Sequence, residues 1–95
     1  MRISTTEINA LRTIIGTLDP AGRIYLYGSR LDDARRGGDI DLYLQASRHI
    51  DLKTQLATQY RLALACDTRV DLLIKNPEQP VQPIHKIATE QGVLL

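Results

Sequence analysis

In the run Asp39-Ile40-Asp41-Leu42-Tyr43-Leu44, two aspartates alternate with three aliphatic residues, and this alternation restricts the chain more than any other stretch of its sequence. Residues two apart on a strand share a face, so Asp39 and Asp41 point one way while Ile40, Leu42 and Leu44 point the other. Two carboxylates held side by side repel each other. The arrangement is costly unless a cation, most often Mg²⁺, lies between them. The spacing therefore predicts a strand with an apolar core face and an acidic site face.

The stretch just upstream adds a second kind of chemistry. Arg23 to Tyr27 reads as a short strand with Ile24 and Leu26 on one face and Tyr25 and Tyr27 on the other. It ends at Gly28-Ser29, where a glycine allows close approach of a ligand and a serine can both cap a following helix and bind a phosphate oxygen. Residues 30–36 are expected to form that short helix, with Gly37-Gly38 ending it and re-aiming the chain into the aspartate strand. Its N-terminal N–H groups suit phosphate. Metal and phosphate together indicate a nucleotide. Arg35 and Arg36 fit either a solvated turn or a triphosphate or partner contact, and Asp32 and Asp33 read as exposed spacer acids.

A third aspartate lies in Arg69-Val70-Asp71-Leu72-Leu73-Ile74-Lys75. Val70, Leu72 and Ile74 share one face of this expected strand, and Arg69, Asp71 and Leu73 share the other. A carboxylate inside an apolar strand needs a partner, because burying it alone is expensive. A third metal ligand, a base for an attacking hydroxyl, or a salt bridge to Arg69 or Arg23 would each satisfy it. Asp67, the rival candidate, falls in a turn.

The remaining segments read as scaffold. Ser4 and Glu7 form a capping-box signature ahead of Ile8, Leu11, Ile14, Ile15 and Leu18 at helical spacing, and Asp19-Pro20-Ala21-Gly22 stops that helix. Residues 50–66 predict a second long helix with Leu52, Leu56, Tyr60, Ala63 and Leu64 as its apolar stripe and Lys53, Gln55, Gln59 and Arg61 for its wet face. Pro77, Pro80 and Pro83 mark an irregular connector, and Pro83 opens a last helix through Ile84, Ile87 and Ala88, with Gly92 expected at its C′ position. The apolar tail Val93-Leu94-Leu95 should pack home or meet a partner. His49 is expected at the surface and Cys66, the only cysteine, in the core. The pattern alone gives an α/β domain.

Gly28-Ser29 followed by Asp39-Ile40-Asp41, with Asp71 in a later strand, resembles the signature of the DNA polymerase β-type nucleotidyltransferase superfamily, and the short chain is most similar to its minimal nucleotidyltransferase domains. The resemblance spans roughly Ile8 to Gly92. It implies a single small nucleotidyltransferase-fold domain over residues 1–95, a mixed sheet of three or four strands flanked by helices. It also implies Mg²⁺-dependent transfer of a nucleoside monophosphate, AMP from ATP, to a hydroxyl. Asp39, Asp41 and Asp71 would be the catalytic metal ligands for two Mg²⁺ ions, and Gly28, Ser29 and Arg30 would bind the nucleotide. Minimal domains of this kind commonly act as antitoxins beside a small helical HEPN-domain toxin, which they inactivate by attaching AMP to a tyrosine. The implied partner is such a toxin.

Composition narrows the alternatives. Twelve Lys and Arg against eleven Asp and Glu give a net charge of +1 with no long basic run, which argues against nucleic acid as a main partner. No membrane-length apolar stretch and no signal peptide are visible, so the cytoplasm is the expected compartment. At 95 residues the chain leaves little material for an acceptor-binding domain. That disfavours a standalone transferase acting on a small molecule or RNA. A module that binds nucleotide or masks a partner without catalysis is the other alternative, and homo-oligomerisation stays open.

Overall fold

The computed structural model describes residues 3–28 and 39–95. The expected phosphate-turn residues Ser29 and Arg30, the short helix over 30–36, and Gly37-Gly38 lie outside the described residues. The described elements run α1 (Thr5–Leu18), β1 (Arg23–Tyr27), β2 (Ile40–Gln45), α2 (Leu52–Cys66), β3 (Val70–Lys75), α3 (Pro83–Gln91) and β4 (Val93–Leu94). The strands form one sheet in the order β3-β2-β1-β4, with β2 and β3 parallel and the other two pairings antiparallel.

The period-two alternation of the central strands separates the sheet into an apolar and a polar face. Ile24, Leu26, Ile40, Leu42, Leu44, Val70 and Ile74 point to one face and join Leu11 and Ile15 of α1 and Leu62 of α2 in the core. Burial of each such side chain is worth about 1.5–3 kcal/mol, which makes this face the main source of stability. The opposite face carries Tyr27, Asp41 and Asp71 near one end. Tyr25 and Tyr43 lie further along it, covered by α3 through a ring stack from Tyr43 to His85 with centroids 5.4 Å apart.

Polar locks fix the element ends. Ser4 and Glu7 make the expected reciprocal capping box at the start of α1. At its other end Asp19 is buried and accepts from the Ser47 backbone N–H at 2.7 Å and from the Ser47 hydroxyl, while Arg48 donates to the Leu18 carbonyl at 2.6 Å. Burial alone would raise the Asp19 pKa, but the Ser47 bonds, the Arg48 charge and the Ala21 N–H together hold it below the usual value. Buried Asn76 accepts from Ile50 N–H at 2.8 Å and donates to Ile50 C=O at 3.0 Å, tying the end of β3 to the entry of α2.

Three expectations need correction. In α2 the predicted apolar stripe faces water: Leu52, Leu56, Tyr60 and Leu64 are 59–67% exposed, while Thr58 and Leu62 are buried. Gln55 and Gln59, expected on the wet face, are half-buried. Gln59 accepts from the Leu72 N–H of edge strand β3 at 2.9 Å, so a polar side chain was needed on the inner face. In α3 it is His85 and Ala88 that are buried, and Ile84 and Ile87 are substantially exposed. Gly92 is the C-cap of α3 with extended backbone rather than a left-handed C′ residue. The reason it is glycine is close packing, because a Cβ there would lie 3.0 Å from the Leu26 carbonyl oxygen and closer still to that of Ala88. The apolar tail pairs with β1 as β4, with Leu95 N–H donating to Ile24 C=O at 2.8 Å and Leu95 packed against the core, while the Val93 and Leu94 side chains stay exposed.

Candidate active site

Strand register assembles the acidic site. Asp41 sits opposite Tyr27 on β1 and opposite Asp71 on β3, and Asp39 precedes Asp41 by two residues at the entry to β2. All of these belong to the face away from the core, as the alternation predicts. The parallel pairing of β2 and β3 matters here, since it brings the acidic beginnings of both strands to the same end of the sheet.

Gly28 follows β1 immediately and has a φ of +78°. A Cβ on this residue would lie 3.0 Å from the Asp41 Cγ and 3.2 Å from its Cβ, and would overlap the carboxylate oxygen Oδ2. Glycine is required here twice, by the backbone angle and by the carboxylate packed against it. Expected nucleotide-binding residue Gly28 and expected metal ligand Asp41 are thus in direct contact.

Arg69 lies between the other two acids. Its Nε is 3.4 Å from Asp71 Oδ1 and 3.6 Å from Asp39 Oδ2, so the salt bridge weighed as an alternative for Asp71 is present. The Arg69 side chain is 74% exposed, and pairs of this kind are worth about 0–1 kcal/mol. They hold the two acids together without committing them. Among the described residues, no three potential ligands are gathered closely enough to hold a metal ion as the side chains stand. The donor set still fits Mg²⁺ in kind: three carboxylates on adjacent strand positions, all hard oxygen ligands. Arg69 is a cation that already stands beside two of them, Asp39 and Asp71.

Tyr27 was missed as a site residue. Burial, and then the charges of Asp41 and Asp71, push its phenol above the ordinary value, so it stays protonated and can donate a hydrogen bond beside the carboxylates. Its position could have been found from the β1–β2 register, which the alternation in both strands implies. Arg69 was legible as a neighbour of Asp71 on the same strand face, but its reach to Asp39 depends on tertiary structure. His49 is exposed and pairs with Glu78, and Asp67 is the exposed left-handed C-cap of α2 with a φ of 50°, so neither belongs to the site. A groove of about 570 Å³ runs between α1 and α2, and among the described residues it is lined by Arg48, Lys53 and Arg61 and by none of the three carboxylates.

The polymerase β nucleotidyltransferase family matches residues 9–95, nearly the whole chain. The chain belongs to that family. Solved structures agree on the fold. A toxin–antitoxin complex of MntA with a mutant toxin contains a chain that is 25% identical and superposes with a TM-score of 0.75, over 93% of this chain and 69% of that one. A tri-AMPylated Shewanella oneidensis HEPN toxin in complex with MNT antitoxin gives 24% identity and a TM-score of 0.73, over 93% and 67%. A toxin–antitoxin structure with AMP-PNP gives 24% and 0.77, over 90% and 69%. No curated protein matches the chain. Among the described residues, no helix is long and apolar enough to cross a membrane.

Proposed function

We propose that this domain is the antitoxin-type transferase of a toxin–antitoxin pair, moving AMP from ATP to a tyrosine hydroxyl on a HEPN-type toxin partner. The observation that carries the reading is the set Asp39, Asp41 and Asp71 on one sheet face, with Gly28 packed against Asp41 at the turn where phosphates would enter. The similarity to MntA chains solved with HEPN toxins, one of them AMPylated, supports the partner and the modification.

In this reading Asp39, Asp41 and Asp71 would hold the Mg²⁺ ions. The bound ions supply charge neutralisation of the triphosphate and acidify the acceptor hydroxyl. Gly28, Ser29 and Arg30 cradle the terminal phosphates. The acceptor oxygen bonds to the α-phosphorus as the α–β bridging bond breaks, pyrophosphate leaves, and the hydroxyl proton passes to Asp71. Tyr27, opposite Asp41 and held protonated, would be available to donate a hydrogen bond there. Arg69, whose side chain is exposed, would give up its loose pairing with Asp39 and Asp71 at little cost.

The test is the intact mass of a HEPN-type toxin from the same host, incubated with ATP, Mg²⁺ and this protein. Wild type should add whole AMP units that map to tyrosine, and Asp39→Asn/Asp41→Asn should add none. A toxin silenced equally by both proteins with no mass change would instead establish the masking role.

A further inference from the structure

At the opposite end of the acidic sheet face, the strands and α3 border an open cavity of about 310 Å³. Lys75 and Gln45 end β3 and β2 there, Tyr25 and Tyr43 form its floor, and Lys86 and Thr89 border it from α3. Lys75 is 9% exposed. Its Nζ contacts the Asn76 carbonyl at 3.3 Å, and among the described residues it has no carboxylate within ion-pair distance. Glu78 feels its charge but is exposed and engaged with His49. A buried cation facing a cavity with a second lysine and, among the described residues, no acid on its walls is compensated best by an anion from outside.

The aromatic floor narrows the anion. Tyr25 stacks on Tyr43 with ring centroids 5.9 Å apart, and Tyr25 keeps part of its surface open to the cavity. An aromatic surface beside clustered cations is the combination that binds a nucleotide, with the ring under the base and the cations on the phosphate. His85 adds a donor: its Nδ1 accepts the Gln82 backbone N–H at 2.9 Å, which puts the proton of the neutral ring on Nε2.

Lys75 and Gln45 are four residues along their strands from Asp71 and Asp41, a distance of about 13 Å at the usual strand rise. Under the proposed transfer reading, on which this inference rests, the donor triphosphate occupies the carboxylate end. Its phosphates leave nothing for the lysines at the far end. We infer that this cavity is a second nucleotide subsite, in which Lys75 and Lys86 hold a phosphate ester and Tyr25 stacks a base. The phosphate ester comes from a nucleotide already joined to the acceptor or from a free nucleotide.

The test is NMR titration of the ¹⁵N-labelled full chain, without ATP or Mg²⁺, using the dinucleotide pApA in one arm and AMP in the other. Either probe should shift the amides of Lys75, His85, Lys86 and Thr89. Binding of pApA at least tenfold tighter than AMP assigns the subsite to a joined nucleotide, and equal binding assigns it to a free one. Lys75→Met/Lys86→Met should weaken binding at least tenfold, and the exposed single variant Lys86→Glu gives the same reading if the double variant does not fold. Asp39→Asn/Asp41→Asn should leave pApA binding unchanged. Absence of shifts from both probes, shifts that survive loss of the lysines, or loss of pApA binding in the aspartate variant overturns the subsite. Transfer is not involved in the readout, so failure of the transferase reading with intact binding would be seen separately.

Discussion

Replacing Gly28 with alanine isolates the link between backbone and chemistry. A φ of +78° costs an L-residue about 1–2 kcal/mol, which for a domain of this size lowers Tm by roughly 4–16 °C. The new methyl would lie 3.0 Å from the Asp41 Cγ, where carbon atoms prefer about 3.5–4.0 Å, so the carboxylate must retreat by roughly 0.5–1 Å. Misplacement on that scale costs a reaction up to about a hundredfold, or about 2.7 kcal/mol of barrier. Gly22→Ala is the control. Its Cβ would lie 2.7 Å from Asp19 Oδ2 and 2.8 Å from Leu44 Cδ1, a clash of similar severity in the scaffold. Single-turnover transfer from ATP, measured well below both melting temperatures, should fall strongly for Gly28→Ala and remain near wild type for Gly22→Ala. Equal rates for the two variants would refute the claim that Gly28 positions Asp41.

Three further outcomes follow from named contacts. Burial and then the Lys75 charge hold the His85 pKa below its ordinary value, so its contribution to stability is present above the unfolded pKa of about 6.5 and is lost as pH falls through the folded one; chemical denaturation from pH 7.5 to 5 should show that loss, and His85→Gln, which keeps an acceptor for Gln82 N–H, should reduce the slope. Asp19→Ala leaves the Ser47 N–H and hydroxyl without their acceptor and should cost about 1–3 kcal/mol in urea unfolding, with an unchanged m-value. Arg69→Gln removes the loose competitor from Asp39 and Asp71 and should lower the Mg²⁺ concentration for half-maximal nucleotide binding by up to about fivefold; an unchanged requirement would show that Arg69 does not occupy the metal position.

The acidic strand was legible because its alternation has only one strand-like interpretation: Ile40, Leu42 and Leu44 had to be buried together, which fixed where Asp39 and Asp41 point. The same logic placed Asp71, and the parallel β2–β3 register then set it beside Asp41. Helix faces were less legible. In α2 the buried side is held by Thr58, Leu62 and the side-chain bond from Leu72 N–H to Gln59, so periodicity of large apolar residues selected the wrong face. His85 was invisible for a related reason. Its burial depends on stacking against Tyr43 from another element, and its role as a cap depends on a ring nitrogen reaching Gln82. Tertiary pairs of this kind leave no period in the sequence. The exposed Leu52, Leu56, Tyr60 and Leu64 are the reverse case, a clear helical stripe that the described residues do not cover.

The central claim is nucleotidyl transfer at Asp39, Asp41 and Asp71. Its most direct test compares α-labelled and γ-labelled ATP with Mg²⁺ in a lysate of the native host, using wild type, Asp39→Asn/Asp41→Asn and Asp71→Asn. The account predicts one protein band labelled from the α-phosphate only, absent in the double variant and reduced about a thousandfold or more by Asp71→Asn. Label from the γ-phosphate, or an α-labelled band that persists without these aspartates, would contradict it.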